Sequence, residues 1–106
     1  MAPPGIISVV YPSAAKFDMD YYLRVHMPLV QKNWASFGLV DWKVAHYTAD
    51  DAGFVSVQAW LQFEDVAQWA VAASSVPGKE VFDDVKRFTD ATPKVLVGTL
   101  TGGQGA

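Results

Sequence analysis

Residues 54–63 read FVSVQAWLQF. In an extended chain successive side chains point to opposite sides. Val55, Val57, Ala59, Leu61 and Phe63 therefore make one continuous apolar face. Phe54, Ser56, Gln58, Trp60 and Gln62 make a mixed polar and aromatic one. This is a strand that needs cover on both sides, and the rest of the chain is arranged around it.

Upstream, Ala49 to Gly53 (ADDAG) reads as a turn. Val40 to Thr48 reads as a second strand, with Trp42, Val44 and His46 on one face and Lys43, Ala45 and Tyr47 on the other. Before it runs a helix opened by Phe17-Asp18 and closed by Gly38. Asp18 suits the N-cap, and Asp20 complements the first turn. Leu23, Met27, Val30, Trp34 and Phe37 recur at helical spacing as one apolar stripe. Pro28 removes one backbone donor, frees the carbonyl of Arg24 and predicts a kink. Ile6 to Tyr11 (IISVVY) is a first strand stopped by Pro12, apolar on both faces apart from Ser8.

Downstream, Glu64 to Ser74 reads as a second helix with Val66, Trp69, Ala70 and Ala73 inward, broken by Pro77-Gly78. Lys79 to Phe88 reads as a short extra helix with Val81, Phe82 and Val85 on its apolar side. Val95 to Leu100 is the last strand. The order β-α-β-β-α-β, with a helical insert before the last strand, is the ferredoxin-like pattern of the α+β class. It places four strands in one antiparallel sheet with both main helices on one face. The 106 residues suffice for one domain, 1–106, whose ends, 1–4 and 102–106, are expected to fray. The helix-free sheet face carries apolar and aromatic residues. Its expected cover is a second copy packed sheet to sheet, a homodimer.

The composition removes several function classes. With no cysteine there is no disulfide, no thiolate nucleophile and no Cys-based metal site. The net charge is −3, and the eight Lys and Arg form no basic run, which argues against nucleic acid as a partner. No stretch nears the ~20 apolar residues needed to span a bilayer. The N-terminus lacks a signal-peptide pattern. A soluble, cytoplasmic protein with no membrane partner is expected. No Gly-rich phosphate loop and no GxSxG are present, so nucleotide cofactors and serine-hydrolase chemistry are not supported. Two histidines at no ligating spacing predict no metal.

His26 and Tyr22 stand at i and i+4 and share a helix face, flanking the apolar stripe, with Asn33 further along the same side. An imidazole, a phenol and an amide there suit polarising a carbonyl or moving a proton. The plainer reading has His26 bonded to a backbone carbonyl and Tyr22 simply packed. His46, in a strand, reads as a partly exposed histidine. Asp83 and Asp84 read as a solvated face, with Asp83 a candidate to fold over a pocket. Trp34 and Trp69 read as core. Trp60 shares its face with Ser56, Gln58 and Gln62, which suits a wet interface or a ligand cavity.

The run from Tyr11 to Leu39, with its FDMDYYLRVHMP block (residues 17–28), resembles the opening signature of the EthD family, and VQAWLQF and PGKEVFDDVKRFTDATPKVLVG resemble its later segments. The resemblance covers nearly the whole chain. It implies a dimeric α/β barrel and places the family's histidine at His26, its aromatic at Tyr22 and its aspartate at Asp18. Small barrels of this superfamily include cofactor-free monooxygenases, lactone isomerases, polyketide cyclases and haem-degrading proteins, the last making His26 a candidate haem ligand. The expectation is a cofactor-free enzyme, of oxidoreductase or isomerase and cyclase type, acting on a hydrophobic oxygenated small molecule between sheet and helices. His26 would be the acid or base, with Tyr22 or Asn33 orienting a carbonyl. Trp34, Trp60, Trp69, Phe88 and Asp83 would complete the site. The alternative is a non-catalytic binding or auxiliary protein using the same pocket.

Overall fold

The computed structural model describes residues 3–13, 16–47 and 57–104. The expected turn at 49–53, and residues 54–56 of the third strand, lie outside them. Four strands, β1 (Gly5–Tyr11), β2 (Leu39–His46), β3 (Val57–Phe63) and β4 (Lys94–Thr99), form one antiparallel sheet in the order β2-β3-β1-β4. The two strands with apolar residues on both faces, β1 and β3, are the central pair. They set Ile7 opposite Leu61 and Tyr11 opposite Val57. These four side chains are buried against the helices and make the floor of the core. In β2 the register slips between Leu39 and Asp41, so Val40 is an extra residue. The bulge keeps Trp42 and Val44 packed on the core, and Trp42 Nε1 donates to Gln31 Oε1 at 2.9 Å. The carbonyls of Pro3 and Pro4 accept bonds from Val66 and Leu100, which ties the start of the described chain to the fold.

The first helical run is α1 (Met19–Tyr21), a π turn (Tyr22–His26) and α2 (Met27–Trp34), ending in a 3-10 turn. Asp18 caps it, accepting from the Tyr21 N–H at 3.0 Å. Gly38 closes it at φ 99, a left-handed conformation that suits glycine. The expected kink at Pro28 takes the form of the π turn. Proline has no N–H, and its ring collides with the carbonyl four residues back. The turn before it widens, so that the Met27 N–H reaches Tyr22 O. Pro28 then lies in the first turn of α2, where a missing donor costs little.

The wider turn rotates the buried face and corrects the expected stripe. Leu23 is 43% exposed, while Tyr22 and His26, expected at the flank, lie in the core beside Met27, Val30 and Trp34.

The second helical run also departs from expectation. Glu64 to Ala67 form turns, and α3 spans only Gln68–Ser74, with Ala72 rather than Ala70 buried. Pro77-Gly78 does not break a helix but starts one, α4 (Val76–Asp84). Ser75 is its N-cap, its hydroxyl accepting from the Gly78 N–H at 3.0 Å. Proline is at home in such a first turn. A Cβ at Gly78 would press on the Ala72 carbonyl, so glycine lets the two helices meet this closely. All helices cover one face of the sheet. Ser8, Trp60 and Leu96, paired across the strands, share the other.

Candidate functional site

Between sheet and helices lies a narrow cavity. Its floor is Val9, Tyr11, Ala59 and Leu61, its roof includes Tyr22, His26, Met27 and Trp34, and Phe82, Val85, Pro93 and Val95 stand along one side. The space between atoms there, counting the part open to solvent, is about 400 Å3, but water has only about 30 Å3 of it to move in. At the side, Phe82 and Val95 are 39% and 36% exposed, so the cavity reaches the surface there. The walls are almost wholly hydrocarbon and aromatic. His26, Tyr11 and Tyr22 bring the polar groups.

His26 is 3% exposed. Its ring stacks on Tyr22 at 5.5 Å and 15°, and meets Phe88 at 4.6 Å. Its Nδ1 lies 2.9 Å from Asp84 Oδ2. Burial lowers the His26 pKa, against the opposing pull of Asp84 through the hydrogen bond and the charge. The imidazole is therefore neutral at pH 7. With a carboxylate facing Nδ1, the ring proton belongs on Nδ1 and the lone pair on Nε2. Among the described residues none hydrogen-bonds Nε2, and none carries a buried side-chain nitrogen or oxygen without a partner. Nε2 thus carries the ring's unengaged lone pair on a residue that lines the cavity. A neutral imidazole held by a carboxylate behind it is the arrangement of a general base.

The Asp84 carboxylate has a second set of contacts outside the core. Tyr21 donates its hydroxyl to Oδ1 at 2.8 Å, and Arg87 Nε lies 3.5 Å from the same oxygen. Tyr11 and Tyr22, edge to face at 5.7 Å, are pushed to higher pKa by burial, Tyr11 further by its neighbour Tyr22. Both stay phenols, able to donate, at any ordinary pH.

The structure brings together His26, Tyr22, Trp34 and Trp69 on the cavity wall, with Phe88 packed behind the imidazole. It does not bring in the others. Asn33 Nδ2 donates to Pro77 O at 3.1 Å and so joins the two helical runs. Trp60 pairs with Lys43 and Ser8 on the opposite sheet face. Asp83 is a surface residue, 3.8 Å from Lys79 Nζ. His46 is exposed at the end of β2. The residue that sequence reasoning passed over is Asp84. The signal was there, since Val81, Asp84, Val85 and Phe88 recur at helical spacing, whereas Asp83 falls beside Glu80 on the wet side.

The fold matches solved structures over nearly its whole length. An EthD-like protein from Ralstonia eutropha JMP134 superposes with a TM-score of 0.82 at 20% identity, covering 98% of this chain and 97% of that one. The chain has the EthD-like fold. A hydroxynitrile lyase from Passiflora edulis shares that fold, with a TM-score of 0.66 at 13% identity over 96% of this chain and 98% of the lyase. So does a dimeric ferredoxin-like protein from Thermobifida fusca YX, with a TM-score of 0.59 at 6% identity over 94% and 93%. No family profile and no curated protein matches the sequence.

The expectation that His26 could ligate a haem can be tested by fit. A cavity in which water has only about 30 Å3 to move in has no room for a haem beside His26. Among the described residues, no three His, Asp or Glu side chains gather as a metal cluster. No helix among them is long and apolar enough to cross a membrane.

Proposed function

We propose that the chain is a small EthD-like enzyme of acid–base type that acts without a cofactor on a hydrophobic oxygenated molecule bound in the His26 cavity. The observation that carries this reading is the His26–Asp84 pair set into an otherwise apolar cavity wall, with Nδ1 engaged by the carboxylate and Nε2 bonded to none of the described residues. A titratable group this buried, paired with a carboxylate and lining a cleft, is what marks a candidate functional site. In the step that follows, Nε2 takes a proton from a C–H next to a substrate carbonyl. The electron pair stays on the substrate as an enolate, and a tyrosine hydroxyl, that of Tyr22, donates to its oxygen. The imidazolium formed is held by Asp84. Returning the proton to a different atom is an isomerisation, and attack of the enolate on a second carbonyl a cyclisation. A lyase with this fold supports the reading that it can host small-molecule chemistry.

The test is proton exchange, because it needs only the common step. Aryl ketones and aromatic lactones with one acidic C–H are incubated with the chain in D2O and followed by proton NMR. The expected result is exchange above the buffer rate, falling by roughly 10²–10⁴-fold in His26→Gln. No acceleration across the series sinks the catalytic reading.

The tight cavity favours one second reading, a carrier that closes around a hydrophobic metabolite. It expects saturable binding without exchange, and an affinity unchanged by pH through the titration of His26.

We infer too that two copies pair through the open sheet face. Ile6, Val10, Trp60 and Leu96 lie on that face, and Leu96 is 48% exposed in a single copy. Apolar and aromatic side chains on a continuous sheet face want a partner.

A further inference from the structure

Asp84 has two oxygens with two addresses. Oδ2 faces inward to His26 Nδ1 at 2.9 Å, and Oδ1 faces outward to the Tyr21 hydroxyl at 2.8 Å. An imidazole base needs its tautomer fixed, and the carboxylate that fixes it must itself be held. Inside the core its partner among the described residues is His26, and the outer oxygen is the one that can be held from the surface. We propose that Tyr21 is a positioning residue for His26, keeping Asp84 aimed at Nδ1 so that the lone pair stays on Nε2, in the cavity. This rests on the reading of His26 as the base.

The backbone explains why Tyr21 can reach. Tyr21 and His26 are five residues apart, which on an α-helix sets them about 140° from each other around the axis. The π turn, with hydrogen bonds running five residues back, brings them round to one side. One carboxylate on α4 then meets both. Tyr22, the next residue, points into the core instead and stacks on the same imidazole. The turn forced by Pro28 thus splits two adjacent tyrosines between the two sides of the His26–Asp84 pair.

Arg87 approaches the same Oδ1, but its contact is longer, 3.5 Å, and its side chain is 69% exposed. Such a pair is screened by water and salt and fixes little. Tyr21 is the shorter contact, and its ring is kept in place by stacking on Phe88 at 6.3 Å and 26°. The Tyr21 hydroxyl is pushed to higher pKa, chiefly by its hydrogen bond to Asp84, and so remains a donor. The other charged groups in the outer groove, Lys79, Glu80, Asp83 and Lys86, make no hydrogen bond or ion pair with Asp84 among the described residues.

The experiment is nitrogen NMR of the full chain with 15N-labelled histidine rings, at a pH where the imidazoles are neutral. The two ring nitrogens of a single tautomer differ widely, one protonated and one bare. His46, exposed on β2, serves as the internal reference. The wild type should show His26 as one tautomer, with Nδ1 protonated. Tyr21→Phe keeps the ring and its stacking on Phe88 but removes the donor. It should bring the two His26 nitrogens toward averaged shifts, with His46 and the circular dichroism unchanged. Asp84→Asn should do the same or more, and Arg87→Gln should leave the tautomer as it is. A His26 that stays one tautomer in Tyr21→Phe overturns the positioning role, as does an effect confined to Arg87→Gln. A wild-type His26 with its proton on Nε2 would instead overturn the base itself. The two failures are therefore told apart without any turnover assay.

Discussion

Burial lowers the pKa of His26 in the folded chain, while the unfolded chain titrates near the ordinary imidazole value of about 6.5. The unfolded state therefore binds the extra proton first as pH falls. Stability from this group is complete above about pH 6.5 and is lost as pH drops from there toward the folded pKa. Urea unfolding between pH 8 and 5 should show the wild type losing stability below that point, with a slope of at most about 1.4 kcal/mol per pH unit from this group. His26→Gln should lose that part of the slope, and a wild-type minus variant difference that is flat with pH would contradict it. A second residue tests the core rather than the site. Trp34 is fully buried, and its indole N–H donates to the Ala72 carbonyl at 3.0 Å. Trp34→Phe removes the donor and part of the ring, and should cost about 2–4 kcal/mol in denaturant melts.

Among the elements, the π turn carries the most weight. Pro28→Ala restores a backbone donor and removes the ring that crowds the Arg24 carbonyl, so the wide turn loses its cause. Backbone chemical shifts of residues 22–26 should then move to regular α-helical values, and Tyr21 should part from Asp84. Shifts unchanged from wild type would show the turn to be held by packing alone. Gly78→Ala tests the junction of α3 and α4. Its Cβ would lie against a carbonyl that cannot rotate away, and a loss of roughly 1–3 kcal/mol is expected. This is also the scale at which the sequence was hardest to read. Asp18 and Gly38 announced the ends of the first helical run, because caps are local chemistry. A stripe spaced at 3.6 residues assumes one unbroken phase, so it turned Leu23 inward and left Tyr22 and His26 at the flank. Pro77-Gly78 reads as a stop because both residues break helices from within. Only the preceding Ser75 reveals that they stand in a first turn.

For the whole molecule, the order of elements was legible because each strand and helix carries its own period, and a ferredoxin-like sheet follows from that order. The candidate site was legible by half. His26, Tyr22, Trp34 and Trp69 share a wall because one helix stripe and its facing helix meet there. Trp60 reads as interface or cavity and lies on the open face, because a strand alternation says which residues share a face, but not which face the helices cover. The open face supplies its own expectation. Light scattering at micromolar concentration should give the mass of two copies, and Trp60→Asp should weaken their association by roughly 30-fold or more, the effect of one central aromatic. A wild-type monomer would remove the pairing. Every residue of β4 but none of β1 is exposed in the single copy, and among the described residues β4 is bonded to one neighbour only. A strand so lightly held is among the first to trade its amide hydrogens with solvent. Val95, beside the cavity, belongs to it, so deuterium uptake should mark the path by which a ligand enters. Breathing of the sheet edge, rather than a separate lid, would then set how fast that ligand comes and goes.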